Sequence, residues 1–241
     1  MARRRFFVPQ IRRGTAELTG PEAEHLARVL RAEPGQVCEI SDNQKLYLAE
    51  IELVRKSVVS FRVKEMLPLP GPSVRMVLIA ALIKFERFEW LVEKATELGV
   101  AAIQPFEAVR TERGLAEASG KRIVRWQKVA REASQQSRRV HLPVIEQAIS
   151  WEKALGLNAD VRLLLDEDAN APPILQVLPN ERTAADSVAL LSGPEGGWTD
   201  EERAQAGQAG WSPSSLGRTI LRAETAAAAA LAVIQAAWDK R

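Results

Sequence analysis

The chain has 241 residues, 46% hydrophobic and 27% charged; it can bury a sizeable core, its length suits a small domain joined to a larger one, and disordered, collagen-like and coiled-coil chains are excluded. The longest apolar runs, 76–83 and 226–234, fall well short of the ~18 residues of a membrane-spanning helix. The basic start MARRRFFVPQ has no apolar stretch or cleavage site of a secretory signal, and the single Cys38 allows no internal disulfide and no cysteine-based metal cluster, so the expected location is cytoplasmic.

In chain order, residues 21–31 read as a helix behind Thr19-Gly20, with Ala23, Leu26, Ala27 and Leu30 on one face. Three β-rich stretches follow, 36–40, 46–53 and 58–63, separated by Pro34-Gly35 and Asp42-Asn43, as expected of a small barrel. The stretch 66–73, MLPLPGPS, reads as a linker and sets domains of 1–70 and 71–241. Beyond it strands alternate with helices: a buried strand at 75–83, a helix at 86–98 stopped by Gly99, a strand at 100–106, and a long helix over about 119–139. Strands at 161–165 and 187–192, a helix from Asp200 and a last helix over about 223–238 complete the pattern. Such alternation predicts an α/β domain with a parallel sheet covered on both faces.

Three segments carry the chemistry. In 187–202, SVALLSGPEGGWTDEE, an apolar strand runs into three glycines and a proline and then a helix start; ligands bind at such strand ends, and a tight turn that needs glycine dihedrals is the other explanation. Neither G-x-x-x-x-G-K-[ST] nor G-x-G-x-x-G is present, and Thr199 as N-cap with Asp200, Glu201 and Glu202 answers the helix dipole internally. The loop therefore suits a zwitterionic or cationic ligand with an adenosine moiety better than a phosphate. The second segment, 214–226, SSLGRTILRAETA, is another glycine-bearing loop leading into a helix that opens with Arg222 and Glu224. Glu224 there also complements the helix dipole.

The third segment, 110–139, has nine Lys and Arg against three Glu. Basic residues outnumber acidic ones 12 to 9 in 1–70 and 13 to 9 in 71–150, whereas 151–241 has 8 against 13, and Arg outnumbers Lys 24 to 9 overall. A solvated helix face and an RNA-facing surface both fit, and the basic N-terminal domain favours RNA. His25 and His141 are the only histidines, so a metal site or a Ser-His-Asp triad is not expected. Cys38 reads as a small buried hydrophobe. The chemistry left is that of positioning and electrostatics.

LLSGPEGGWTDEE followed by SLGRTILRAETAAAAAL, with KFERFEWLVEKATELGV and RWQKVAREASQQSRRVHLP upstream, resembles the 16S ribosomal RNA (uracil-N3)-methyltransferases of the SPOUT superfamily. RRRFFV and HLARVLR resemble that family's PUA-like β-barrel, so nearly the whole chain is covered. The resemblance implies a trefoil-knotted α/β domain that binds S-adenosylmethionine, an active site completed in a homodimer, and 16S rRNA or the small ribosomal subunit as partner, with no membrane and no metal. It places the donor on Leu165, on Leu191, Ser192, Gly193, Glu195, Gly196 and Gly197, and on Leu216, Gly217, Ile220, Leu221 and Arg222. RNA contacts fall on Arg5, Arg28, Arg31, Arg113, Gln136 and Arg139. One departure is Thr219, where the family's L-G-x-R-I-L-R has arginine; Arg218 stands next to it.

The reaction so implied is direct methyl transfer to N3 of an unpaired uridine, without a covalent intermediate. Arg113 is expected to stabilise the developing imidate charge, and Glu224 or Glu195 to accept the N3 proton. A non-catalytic ribosome-assembly factor, and a SPOUT enzyme acting on another RNA atom or on transfer RNA, are the alternatives.

Overall fold

The computed structural model describes residues 3–71 and 73–239; Pro72 of the expected linker and the last two residues of the expected second domain lie outside the described residues. The chain divides into two compact units, Met1–Gly71 with Ser134–Leu142, and Pro72–Ala133 with Pro143–Arg241. The sequence reading draws a single cut at 70/71; the contacts add the later stretch 134–142 to the first unit.

The first unit contains β1 (Arg5–Phe7), β2 (Ile11–Arg12), β3 (Thr15–Thr19), α1 (Gly20–Arg28), β4 (Val37–Ser41), β5 (Leu46–Arg55) and β6 (Val58–Leu67). Its sheet runs β1-β4-β5-β6-β3-β2, antiparallel except for the β1–β4 pair. Phe6 in β1 and Ile11 in β2 pack on one core with Leu26, Ile40, Ile51 and Phe61, so both ends of the sheet converge on the same interior. The first three strands escape sequence reading because they are short, and β3, TAELT, has only Ala16 and Leu18 as its buried face. Strand β6 runs to Leu67, into the expected linker. The turn after β4 forms as expected, with Asp42 Oδ1 accepting the Gln44 and Lys45 amides at 3.1 and 2.7 Å and Asn43 at φ +69°. Cys38 is buried in β4, where burial, with the Glu39 charge beside it, pushes its thiol up to about 12.

Residues 138–142 bind this sheet through polar contacts. Arg5 Nε and Arg138 Nη2 donate to the two oxygens of buried Glu39 at 2.9 and 2.8 Å, and Arg5 Nη1 donates to the Arg138 carbonyl. Ser41 Oγ donates to the Val140 carbonyl (2.7 Å), and Asn43 Oδ1 accepts the Leu142 amide (2.7 Å). Arg5, expected on RNA, is buried and ion-paired with Glu39.

The second unit contains β7 (Arg75–Ala81), α2 (Phe85–Glu97), β8 (Ala102–Glu107), α3 (Leu115–Ser119) and α4 (Ile123–Gln136, whose last turn belongs to the first unit). It continues with β9 (Val144–Ile145), β10 (Ile149–Ser150), α5 (Trp151–Leu155), β11 (Val161–Leu165), α6 (Ile174–Val177), β12 (Ser187–Ser192), α7 (Asp200–Gln208), β13 (Ser212–Ser214) and α8 (Ala223–Trp238). The long helix expected over 119–139 is thus a short α3, a turn of 3-10 helix at Gly120–Arg122 and α4. The sheet, β10-β8-β7-β12-β11-β13 with β9 beside β8, is parallel throughout.

Side chains alternate across the sheet. Leu78, Leu163 and Leu190 face a core with Leu91, Trp126 and Leu231, whereas Ile79, Leu164 and Leu191 face a second one with Phe106, Trp151 and Trp198. Among the described residues no helix is long and apolar enough to cross a membrane.

Burial alone would push the Glu39 carboxyl up, but hydrogen bonds from Arg5 and Arg138 outweigh it and hold the group below the usual carboxylate range. Its contribution to stability is complete above the unfolded-state value near ~4.3 and is lost as pH falls through the lower folded value. Glu39→Ala, which leaves two arginines facing an emptied site, should destabilise the protein by about 3 kcal/mol at neutral pH in denaturant unfolding, with a smaller deficit at about pH 3.

Candidate functional site

Three strand ends stand side by side, Ser192 pairing with Leu165 and Leu165 with Ser214. The loops that leave β12 and β13 therefore flank the end of β11, and together with the segment after it they wall a cavity of about 1130 Å³. Of the expected donor residues, Leu165, Ser192, Gly193, Glu195, Gly196, Gly197, Leu216, Gly217, Ile220, Leu221 and Arg222 all line it. Leu191 does not; one residue before the strand end, it points into the opposite core, which is the consequence of strand alternation. Asp166, Glu167 and Arg87 also line the cavity and were not anticipated.

The glycines answer specific contacts. A Cβ on Gly193 would sit 2.8 Å from the Trp198 ring, and Gly197, at φ +69°, would drive one into the Glu167 carboxylate. Trp198 is fully buried and donates through Nε1 to the Leu165 carbonyl (2.8 Å), which ties the end of this loop to the end of β11. Arg110 Nη1 reaches the Gly196 and Trp198 carbonyls at 2.9 and 3.2 Å. Arg203 holds Asp166 through Nε (3.1 Å) and Glu167 through Nη2 (2.9 Å). The loop is thus clamped from both sides.

The helix behind it closes its own N-terminus as the sequence indicates. Thr199 Oγ1 accepts the Glu202 amide (3.1 Å), and Glu202 accepts the Thr199 amide (2.9 Å) and the Val109 amide (2.9 Å). The N-cap amide and the Glu202 amide are taken and the dipole is answered by carboxylates, which disfavours an anion there. Around the cavity, the carboxylates of Asp166, Glu167 and Glu195 mix with the guanidinium groups of Arg87, Arg218 and Arg222. The second loop is open, with Ile220 83% exposed.

Of the residues expected to do chemistry, Glu195 and Glu224 both reach Arg87, and Arg113 stands apart. Glu195 lines the large cavity and ion-pairs with Arg87 of α2. Glu224, buried in the first turn of α8, lines a smaller cavity of about 300 Å³ with Glu86, Arg87, Trp90, Arg222 and Thr225. Arg113 is exposed in the loop before α3 and lines neither cavity. Arg28 and Arg31 are exposed on the first unit, as is Gln136 in the returning stretch. Arg139 is half-buried; burial pushes its guanidinium down to about 10, still cationic at neutral pH.

His25 and His141 are both exposed, and His141 Nδ1 lies 2.9 Å from the Asn43 carbonyl oxygen. Among the described residues no group of three or more His, Cys, Asp or Glu side chains could hold a metal ion. Arg87 carried no sequence signal beyond its place on a helical face, because its partners, Glu195 in the loop after β12 and Glu224 in α8, lie more than a hundred residues away.

Gly193→Ala should destabilise the protein by about 1–3 kcal/mol in thermal or denaturant unfolding, since the Trp198 ring has no room to yield. Gly207→Ala in α7, whose Cβ meets nothing, should leave stability unchanged or raise it by up to about 1 kcal/mol.

Comparison with known proteins agrees with this geometry. A family model described as RNA methyltransferase domain matches residues 70–235, and one described as RNA methyltransferase PUA domain matches 18–63. The ribosomal RNA small subunit methyltransferase E of Synechocystis is 35% identical over 98% of this chain and 78% of its own length. The crystal structure of ribosomal RNA small subunit methyltransferase E from Neisseria gonorrhoeae, bound to S-adenosyl methionine, matches with a TM-score of 0.87 at 29% identity over 98% of both chains. A Legionella pneumophila structure in complex with SAM matches at 0.89 and 30% identity, again over 98% of both chains. With its N-terminal PUA-like sheet and parallel-sheet α/β domain, the chain belongs to the ribosomal RNA small subunit methyltransferase E family, a SPOUT family of 16S rRNA methyltransferases.

Proposed function

We propose that the large cavity holds S-adenosylmethionine and that the protein methylates N3 of one unpaired uridine in 16S rRNA by direct transfer. The observation that carries this reading is the placement of two bare-backbone loops on either side of the β11 end of a parallel sheet, among carboxylates and guanidinium groups and without a phosphate cradle. A sulfonium donor fits such a lining, because Glu167 and Glu195 stand in it already paired with Arg203 and Arg87, and the carboxylates of the self-capped α7 disfavour an anion. S-adenosylmethionine supplies an electrophilic methyl group when bound.

The protein's own residues do the rest. The backbone of 193–197 and 215–217 approaches the ligand closely, and Leu165, Leu216, Ile220 and Leu221 give it apolar walls. Glu195 or Glu224 accepts the N3 proton of uracil, each held near Arg87. Arg28, Arg31, Gln136 and Arg139 contact RNA phosphates or bases, and Arg113 acts on the substrate side, at an active site that a second copy of the chain completes. The trefoil threading of the second unit, a cytoplasmic location and chemistry without a metal belong to the same reading; the return of the chain from β12 to β13, on the far side of β11, supports the threading.

The test incubates the protein and labelled S-adenosylmethionine with small ribosomal subunits that lack the modification, followed by nucleoside mass spectrometry. N3-methyluridine at one position is expected. Donor binding without transfer would redirect the search to transfer RNA or another RNA atom, and no donor binding would mean a non-catalytic assembly factor. Arg113→Ala should lower turnover tenfold or more while calorimetric donor affinity stays within about twofold, and equal loss of both would remove its assigned role.

A further inference from the structure

The smaller cavity is contiguous with the donor cavity: Arg87 and Arg222 line both. Trp90, one turn along α2 from Arg87 and 41% exposed, lines the smaller cavity beside that arginine, and the cavity's volume of about 300 Å³ stands at the lower end of small-ligand sites (~300–1000 Å³). Arg87 is held by two carboxylates from two different segments. Its Nη1 ion-pairs with Glu195, its Nε stands 4.0 Å from Glu224 Oε1, and its Nη2 has no partner among the described residues. Glu224 Oε2 is likewise buried without a hydrogen bond. A guanidinium anchored at one corner, with free N–H groups at the boundary of two cavities, is a preorganised donor that costs no reorganisation when charge develops in front of it.

We propose that this cleft receives the target uracil, stacked on Trp90, with Arg87 Nη2 facing a ring carbonyl and stabilising the imidate as N3 loses its proton. The proposal rests on the uridine-N3 reading above and assigns its charge-stabilising role to Arg87 rather than to Arg113. Stacking of an extruded base on an exposed aromatic ring needs no particular base edge, which leaves recognition to the guanidinium groups of Arg87 and Arg222, which share the cleft with the carboxylates of Glu86 and Glu224. In the reaction the N3 proton leaves to solvent, directly or through a carboxylate beside Arg87. The N3 electron pair forms the bond to the methyl carbon, and the pair of the broken carbon–sulfur bond returns to sulfur, which becomes a neutral thioether. Negative charge on the ring exists only between proton loss and methyl arrival, so Arg87 acts in the transition state and not on donor binding.

The experiment compares wild-type protein with Arg87→Gln, Trp90→Ala and Trp90→Phe on unmethylated small subunits containing uridine or 5-fluorouridine, whose ring fluorine makes N3–H more acidic. Calorimetric titration of each protein with S-adenosylhomocysteine and light scattering accompany the kinetics. Arg87→Gln should lose about 100-fold in kcat on uridine subunits at neutral pH, keep gaining rate at alkaline pH where the wild type levels off, and recover most of its rate on 5-fluorouridine subunits. Trp90→Ala should raise KM for the subunit about tenfold, Trp90→Phe should restore it, and the affinity of every variant for S-adenosylhomocysteine should stay within about threefold of wild type.

Three results would overturn the proposal: no rescue of Arg87→Gln by 5-fluorouridine, loss of S-adenosylhomocysteine affinity as large as the loss of transfer, or a changed molar mass of Trp90→Ala with unchanged KM, which would make the cleft a contact between copies of the chain. A wild-type protein inert on both subunit forms would overturn the uridine reading itself and this inference with it.

Discussion

The register of three parallel strands governs everything at the cavity. Ser192, Leu165 and Ser214 stand in line, so loops more than twenty residues apart in sequence leave the sheet at the same edge. Parallel pairing forces each connection to cross back over a face before the next strand begins, and every C-terminal strand end then points the same way. A shift of one residue in β12 would turn Ser192 into the core that Leu191 fills and expose Leu191 to the cavity. The two apolar cores on either face of the sheet hold that register, since Leu190 and Leu191 are both fully buried on opposite sides.

On that frame the loop after β12 is rigid for reasons of contact. Trp198 inserts its ring under Gly193 and its Nε1 onto the end of β11, and Arg110 and Arg203 grip the backbone from two other elements. The loop after β13 lacks comparable clamps over 216–221 and presents Ile220 and Leu221 outward. One wall of the cavity is therefore fixed and the other is held mainly at its ends, by the pairing of Ile174 and Pro172 with Ser215 and by the start of α8.

Much of this was legible in the sequence, for physical reasons that differ by element. Buried parallel strands such as β11 and β12 announce themselves as short apolar runs, and α2 and α8 by helical spacing. The glycine loops were readable because bare backbone beside a strand end has few other uses, and the capping box at Thr199 and Glu202 because it is local. Long-range pairings were not readable. Nothing near Arg5 signals Glu39 and Arg138, and its position in an arginine run made it look like an RNA contact when it is an interior ion pair. Leu191 packs away from the cavity for a different reason: a motif includes neighbours, but a strand shows only alternate side chains to one face. Arg87, Asp166 and Glu167 became visible only when the sheet brought their segments together.

The stretch 134–142 makes the first unit discontinuous in the chain. The carbonyl that Ser41 Oγ serves, the amide that Asn43 accepts and the second cation of Glu39 all arrive more than ninety residues after β4. During synthesis the N-terminal sheet would leave the ribosome with these groups unserved, and would gain them only after β7, α2, β8 and α4 had followed. A fragment cut at the linker would carry Glu39 with one arginine instead of two. The order in which this protein matures is thus not the order of its domains along the chain: the first unit to begin cannot be complete until the second is well under way.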